Sequence, residues 1–177
     1  RLALAFQREV INNIIPRVQP DLIHCNDWMT GLIPALARRL KIPCLFTVHN
    51  IHSLHTTLTH IEDSGIDAAE FWHYLYYKWM PHAYEESRDR NPVDFLISGI
   101  FAAHFINTVS PTFLNELTEG RFDFVDGALR HELASKRAAG CAAGILNAPN
   151  PSYDPATDPA LPGGYGAEDC LQGKLKA

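Results

Sequence analysis

The run CLFTVHNIHSLHTTLTH, residues 44–60, places four histidines within its last twelve positions. Imidazoles this dense suggest either a metal centre or one working histidine among bystanders. The spacing leans toward the second. His49, His52 and His55 stand three apart. On a helix, each step of three falls about 60° short of a full turn, so the outer two rings diverge by about 120°. On a strand, a spacing of three sends successive side chains to opposite faces. Neither geometry converges all three on one ion, and no C-x-x-C pair stands ready to complete a zinc set. No metal and no cofactor are expected.

The elements that must carry these residues are four short apolar runs: DLIHC (21–25), CLFTV (44–48), HFINTV (104–109) and GILN (144–147). Each predicts a strand. NDWMTGLIPALARRLKIP, between the first two, predicts a helix of about a dozen residues with Leu32, Ile33, Leu36 and Leu40 on one face. Strand, helix, strand in so short a space implies a parallel sheet. SPTFLNELTEG predicts a helix capped by Ser110 and ended by Gly120. NPVDFLISGIFAAH predicts another, with Asn91 as its cap.

An open parallel sheet binds ligands beyond the carboxyl ends of its strands. The residues delivered there are Asn26-Asp27-Trp28, His49-Asn50, Ser110 and Asn147. Polar groups on one rim suit a ligand rich in hydroxyls or phosphate. His49 follows an apolar strand directly, which sets its imidazole at the rim and not in the core. Asp27 could instead cap the helix that follows it, and Ser110 is read mainly as a cap.

Composition narrows the classes further. The chain has 177 residues, enough for one domain and part of another, with ordinary globular proportions of 46% hydrophobic and 20% charged residues. Net charge is −5 and pI about 6.0, with no basic stripe, so neither nucleic acid nor an anionic membrane is an expected partner. No apolar run approaches a membrane span, and no signal peptide is recognisable. Cys25, Cys44, Cys141 and Cys170 form no C-x-x-C pair, and a reducing cytoplasm is the simplest setting. The absence of G-x-S-x-G, P-loop and G-x-G-x-x-G runs argues against hydrolase, NTPase and dehydrogenase. Residue chemistry alone thus reaches an α/β domain that binds a sugar or another polar small molecule.

Two segments stand apart. Seven aromatic residues fall between Phe71 and Tyr84. Flat rings suit a sugar face, but the simpler reading has them packing a helix onto the sheet. Residues 149–166 hold five prolines and three glycines, the composition of a linker. At the other end, RLALAFQREVINNIIP reads as a helix already under way, so the chain is expected to be a piece of something longer.

PDLIHCNDWMTGLIP, FTVHNIH, FINTVSPTFLNEL and GILNAPNPSYDPATDP, in that order, resemble bacterial glycogen synthase and plant starch synthase. Those enzymes carry runs close to HCNDW-x-T-G-L-P, T-V-H-N, I-N-T-V-S-P-T and G-I-L-N-G-I-D with N-P-A-T-D-P. The resemblance implies an α/β, Rossmann-like parallel sheet with flanking helices, part of the N-terminal domain of a two-domain GT-B fold. Residues 1–148 would be the later portion of that domain, and 149–177 the interdomain linker and the start of the second. It further implies transfer of glucose from ADP-glucose (or UDP-glucose) to an α-1,4-glucan with retention, by a hexosyltransferase that is inactive as this piece alone. His49 would hydrogen-bond the transferred glucose, with Asp27, Trp28 and Asn50 lining the same cleft. His52, His55 and His60 fall where such enzymes have a loop beginning A-Y-Q-G, and inherit no role.

The departures are a missing lysine-glycine-glycine loop, Ile97 where N-F-L-K-A-G has lysine, and Asn147-Ala148-Pro149-Asn150 in place of N-G-I-D. The alternatives are a GT-B transferase of the sucrose-synthesising type, a non-catalytic glucan-binding module built on the aromatic segment, and a metal-dependent hydrolase using the histidines.

Overall fold

The computed structural model describes residues 2–147, 150, 154–161 and 163–175. The chain divides into two compact units, Arg1–Leu146 and Asn147–Ala177. In the first, the elements run α1 (Leu2–Glu9), a π-helical turn (Val10–Ile14), α2 (Ile15–Val18), β1 (Ile23–Asn26), α3 (Ile33–Leu40), β2 (Cys44–Val48), β3 (His55–Thr56), α4 (Leu58–Asp63), β4 (Tyr76–Tyr77), α5 (Tyr84–Arg88), β5 (Val93–Asp94), α6 (Phe95–Ala102), β6 (Phe105–Thr108), α7 (Pro111–Glu119), α8 (Gly127–Ala138) and β7 (Ala142–Gly144). The second unit carries a short helix, α9 (Cys170–Lys174), and Asp- and Pro-rich turns. The N-A-P-N run and parts of the Pro/Gly stretch lie outside the described residues.

The main sheet has the order β1-β2-β6-β7, all parallel. Its two faces differ in kind. Cys25, Phe46, Val48, Ile106 and Thr108 share one face and are buried under helices that include α3, α6 and α8. His24, Asn26, Thr47, Phe105 and Asn107 share the other, where all but Thr47 keep some exposure. Close helix-to-sheet approach needs glycine on α6. A Cβ on Gly99 would sit 2.4 Å from ring atoms of fully buried Phe46.

A second, three-stranded antiparallel sheet, β3-β5-β4, forms a small ribbon beside α6. It changes two expectations. The helix after Asn91 begins only at Phe95, capped by Asp94, whose Oδ1 accepts from the Ile97 N–H at 2.8 Å. Asn91 instead brackets the Trp79 backbone, accepting from its N–H and donating to its carbonyl. Nor is the aromatic segment a helix. It folds as 3-10 turns at Ala68–Glu70 and Trp72–Tyr74, then β4, then α5 after an interval. Phe71 and Tyr77 are buried in the core and Trp79 is 55% exposed, so packing takes most of these rings, though not through a helix.

Other boundaries shift for local reasons. The helix after Trp28 is a 3-10 turn, Trp28–Thr30, followed by the eight-residue α3, and Leu40 at its end is 45% exposed, not on the core face. The fourth strand is Ala142–Gly144, and Ile145 and Leu146 lie exposed beyond it. The cap of α7 stands as read: Ser110 accepts from the Phe113 N–H, and Gly120 ends the helix at φ +72°.

Candidate functional site

At the carboxyl end of β1 the chain turns through Asp27, whose backbone sits at φ 55°, ψ 179°. A residue with a Cβ pays strain there, so something must hold it. Asp27 is 6% exposed, and its carboxylate does not cap the turn it opens. It reaches across to the end of β2. Oδ1 accepts from the His49 N–H at 2.8 Å and more weakly from the Asn50 N–H at 3.4 Å. Oδ2 accepts from the Asn50 side-chain amide at 3.0 Å. Asn50 Oδ1 then accepts from the His52 N–H at 2.9 Å. One carboxylate therefore sets the exit direction of the β2 loop. Thr30 steadies the other side, its hydroxyl lying 2.9 Å from both the N and the O of Asn26.

His49 is exposed at this rim, and its Nε2 lies 3.0 Å from Asn26 Oδ1. Since Oδ1 can only accept, Nε2 is the donor in this contact. Asn26 thus joins the site as the orienting partner of His49. Trp28 is half-buried, and with Asn26, Phe6, Met29 and Leu54 it lines an adjoining apolar groove of about 750 Å³. Asp27, His49 and Asn50 are bonded into one unit, and Trp28 lines the adjoining groove.

Sequence reading passed over a polar row on the exposed face. His24 Nε2 lies 2.7 Å from Thr47 Oγ1, and the Thr47 hydroxyl donates to Asn107 Oδ1 at 2.6 Å. The signal was present: polar residues recur at period two in IHCN and stand in register in CLFTV and FINT. Cys44, on the core face of β2, is buried. A hydrogen bond with the Cys25 thiol and then burial push its own thiol well above the ordinary range.

The remaining histidines scatter. His55 Nε2 pairs with Asp94 Oδ2 at 2.8 Å, and His60 lies exposed on α4. Among the described residues, no three His, Cys, Asp or Glu side chains are placed to hold one ion. Ile97, where the resembled runs have lysine, is buried on α6. Ser110 serves as a helix cap, and Asn147 opens the second unit.

This geometry can be set against known proteins. The family model of the starch synthase catalytic domain matches residues 1–131, most of the first unit. The chain belongs to the starch synthase catalytic domain family. Among relatives, glycogen synthase 2 of Nitrosococcus oceani is 36% identical over 147 residues, covering 81% of this chain and 27% of that protein. Glycogen synthase 1 of Methylococcus capsulatus is 34% identical over 161 residues, covering 89% and 29%. Among solved structures, the catalytic domain of Starch Synthase IV from Arabidopsis thaliana, bound to ADP and acarbose, superposes with a TM-score of 0.65 at 25% identity. That match covers 97% of this chain and 34% of the other. The chain spans about a third, or less, of the length of these relatives. Its parallel sheet with flanking helices is part of the GT-B fold of this family.

Proposed function

We propose that this chain forms one wall of the cleft of a hexosyltransferase that moves glucose from ADP-glucose (or UDP-glucose) to an α-1,4-glucan with retention of configuration. Family membership supports the reaction class, and ADP in the solved relative supports a nucleotide-sugar donor. One observation carries the reading to this chain's own residues. The Asp27 carboxylate clamps the His49 backbone N–H and the Asn50 side-chain amide at the ligand-binding rim of the sheet. A hydrogen-bonding group held rigidly before substrate arrives is what stabilisation of developing charge requires.

In this reading His49 contacts the transferred glucose, Asn50 lines the same cleft, and Asp27 acts through both as a positioning residue. Trp28 offers an apolar surface beside them. Residues 1–148 are the later part of the N-terminal domain, and 149–177 lead into a second domain that supplies the opposite wall. A cytoplasmic setting fits the four unpaired cysteines. Among the described residues no helix is long and apolar enough to cross a membrane.

The test is incorporation of labelled glucose into glycogen. The 177-residue chain alone gives none above a heat-killed control, because groups from both walls must surround the reacting sugar. The same chain within its two-domain protein gives incorporation from one of the two donors. No incorporation from either donor overturns the reading.

A further inference from the structure

A set of cations gathers where α6 ends, at the amino end of the main sheet and opposite the His49 rim. Arg38 of α3 donates from Nε to the Ala102 carbonyl at 2.6 Å and from Nη2 to the Ala103 carbonyl at 3.3 Å. Lys136 of α8 donates from Nζ to that same Ala103 oxygen at 2.5 Å. Two full positive charges therefore share one neutral oxygen, well inside the screening length of about 8 Å at physiological salt. His104, the next residue, joins them. Its Nδ1 accepts from the Cys44 N–H at 3.1 Å, so the neutral ring carries its proton on Nε2.

Capping of α6 leaves this charge unbalanced. The carboxyl end of a helix supplies about half a negative charge, against two positive ones here. Among the described residues no carboxylate lies within ion-pair distance of Arg38 or Lys136. Glu132 acts on Lys136 from one turn earlier on α8, through space. The surplus is felt locally. Burial, then Arg38, lower the Lys136 pKa, and burial, then Arg38 and Lys136, lower that of His104. Arg38 and Lys136 are half-buried and His104 is exposed, so the cluster is open to a dissolved ion.

We infer that Arg38, Lys136 and His104 form an oxyanion site that takes a phosphate group, free or carried by a small ester. The inference is independent of the transferase reading above. Neither cation spends all its N–H groups on carbonyls, and a guanidinium suits the geometry of an oxyanion. A phosphate group carries about 1.5 to 2 negative charges near neutral pH. That matches two cations better than a chloride or a carboxylate does.

Titration of the 177-residue chain with inorganic phosphate, against sodium chloride at matched ionic strength, tests this. The unfolding midpoint should rise with phosphate beyond the chloride control, as it does for any ligand of the folded state. In NMR titrations the same additions should raise the His104 pKa toward its ordinary value, because the anion offsets the two cations. Lys136→Met keeps an aliphatic stem and leaves the Ala103 carbonyl to Arg38. It should raise the phosphate Kd about 10-fold or more, the effect of one lost hydrogen bond to a charged group, while Lys136→Arg restores binding. Methyl phosphate separates the two sources: binding tighter than that of inorganic phosphate assigns an ester, and weaker binding assigns the free ion. A midpoint shift no larger than that of chloride overturns the site, and so does an equal phosphate Kd in the wild type and Lys136→Met. Should that variant fail to fold, a wild-type His104 titration that phosphate leaves unmoved overturns the site equally.

Discussion

Asp27 combines a strained backbone with a buried carboxylate, and substitution can separate the two. Asp27→Ala removes the acceptor for the His49 N–H at 2.8 Å and for the Asn50 amide at 3.0 Å. Each orphaned donor costs about 1–2 kcal/mol where water reaches it in part, so about 2–4 kcal/mol is expected in all. The strain at φ 55° remains, because alanine also has a Cβ. Asp27→Gly loses the same bonds but releases that strain, about 1–3 kcal/mol. Glycine should therefore be the more stable variant of the two. Asp27→Asn is not a rescue. With its oxygen toward His49, its amide faces the Asn50 amide, donor against donor. Turning Asn50 over would break its bond to the His52 N–H. Urea unfolding followed by tryptophan fluorescence measures all three. In the two-domain protein, all three should lose activity together, glycine included. The reasoning fails if alanine lies within about 0.5 kcal/mol of the wild type, or if glycine is no more stable than alanine.

Further outcomes follow from single contacts. His49→Ala in the two-domain protein should lower kcat about 100-fold or more, by analogy with removing one preorganised donor, while His52→Ala and His55→Ala leave kcat far less changed. Equal losses in all three, read in a steady-state assay, would mean the histidines act as a set. Gly99→Ala should cost about 1–3 kcal/mol by urea unfolding, because its methyl meets the buried Phe46 ring. An unchanged midpoint would mean that α6 shifts freely. Burial, then Arg38 and Lys136, lower the His104 pKa below 6.5, and its Nδ1 accepts from the Cys44 N–H. The folded state then binds fewer protons than the unfolded, so this contribution is complete above about pH 6.5 and is lost as pH falls through the lower folded value. His104→Gln should flatten the acid side of the stability profile, and an unaltered profile would refute the assignment.

Sequence reading reached the parallel sheet because its evidence is local. CLFTV is a short, mostly apolar run, and the structure makes it β2 with the same ends. The Ser110 cap and Gly120 stop are equally local. The fourth strand was misplaced because side-chain hydrophobicity did not select it. A Cβ on Gly144 would lie 2.3 Å from the Pro111 backbone, so close contact with α7 chooses the small residues 142–144 over Ile145 and Leu146. The false start at Asn91-Pro92 has a tertiary cause. Val93 and Asp94 pair with β3 on one side and β4 on the other, and pairing outweighs a plausible cap signal. In the site, position alone brought forward Asp27, His49 and Asn50. That Asp27 bonds the other two, and that Asn26 faces His49, depends on how two strand ends sit side by side. No single segment encodes that.

The stretch 49–56 links the rim of the main sheet to the β-ribbon. At its start, Asp27 of the main sheet holds His49 and Asn50. Four residues after His49, Ser53 donates to Asp94 and accepts from the Leu96 N–H, fixing the loop to the start of α6. His55 then pairs with Asp94 both in strand register and by side chain. The loop is thus pinned at both ends by a carboxylate from a different sheet. A loop held only at Asp27 could swing about Asn50, and His49 would spend less time oriented for transfer. Weakening the far anchor should therefore reach the near one. Ser53→Ala removes the hydroxyl that both Asp94 and the Leu96 N–H use, without touching any rim residue. In the two-domain protein it should lower kcat by a few-fold while leaving the nucleotide-sugar KM near its original value. The expected loss is smaller than for His49→Ala because the Asp27 bonds survive. If Ser53→Ala shifts the unfolding midpoint but not kcat, the far anchor is structural only, and the rim is rigid without it.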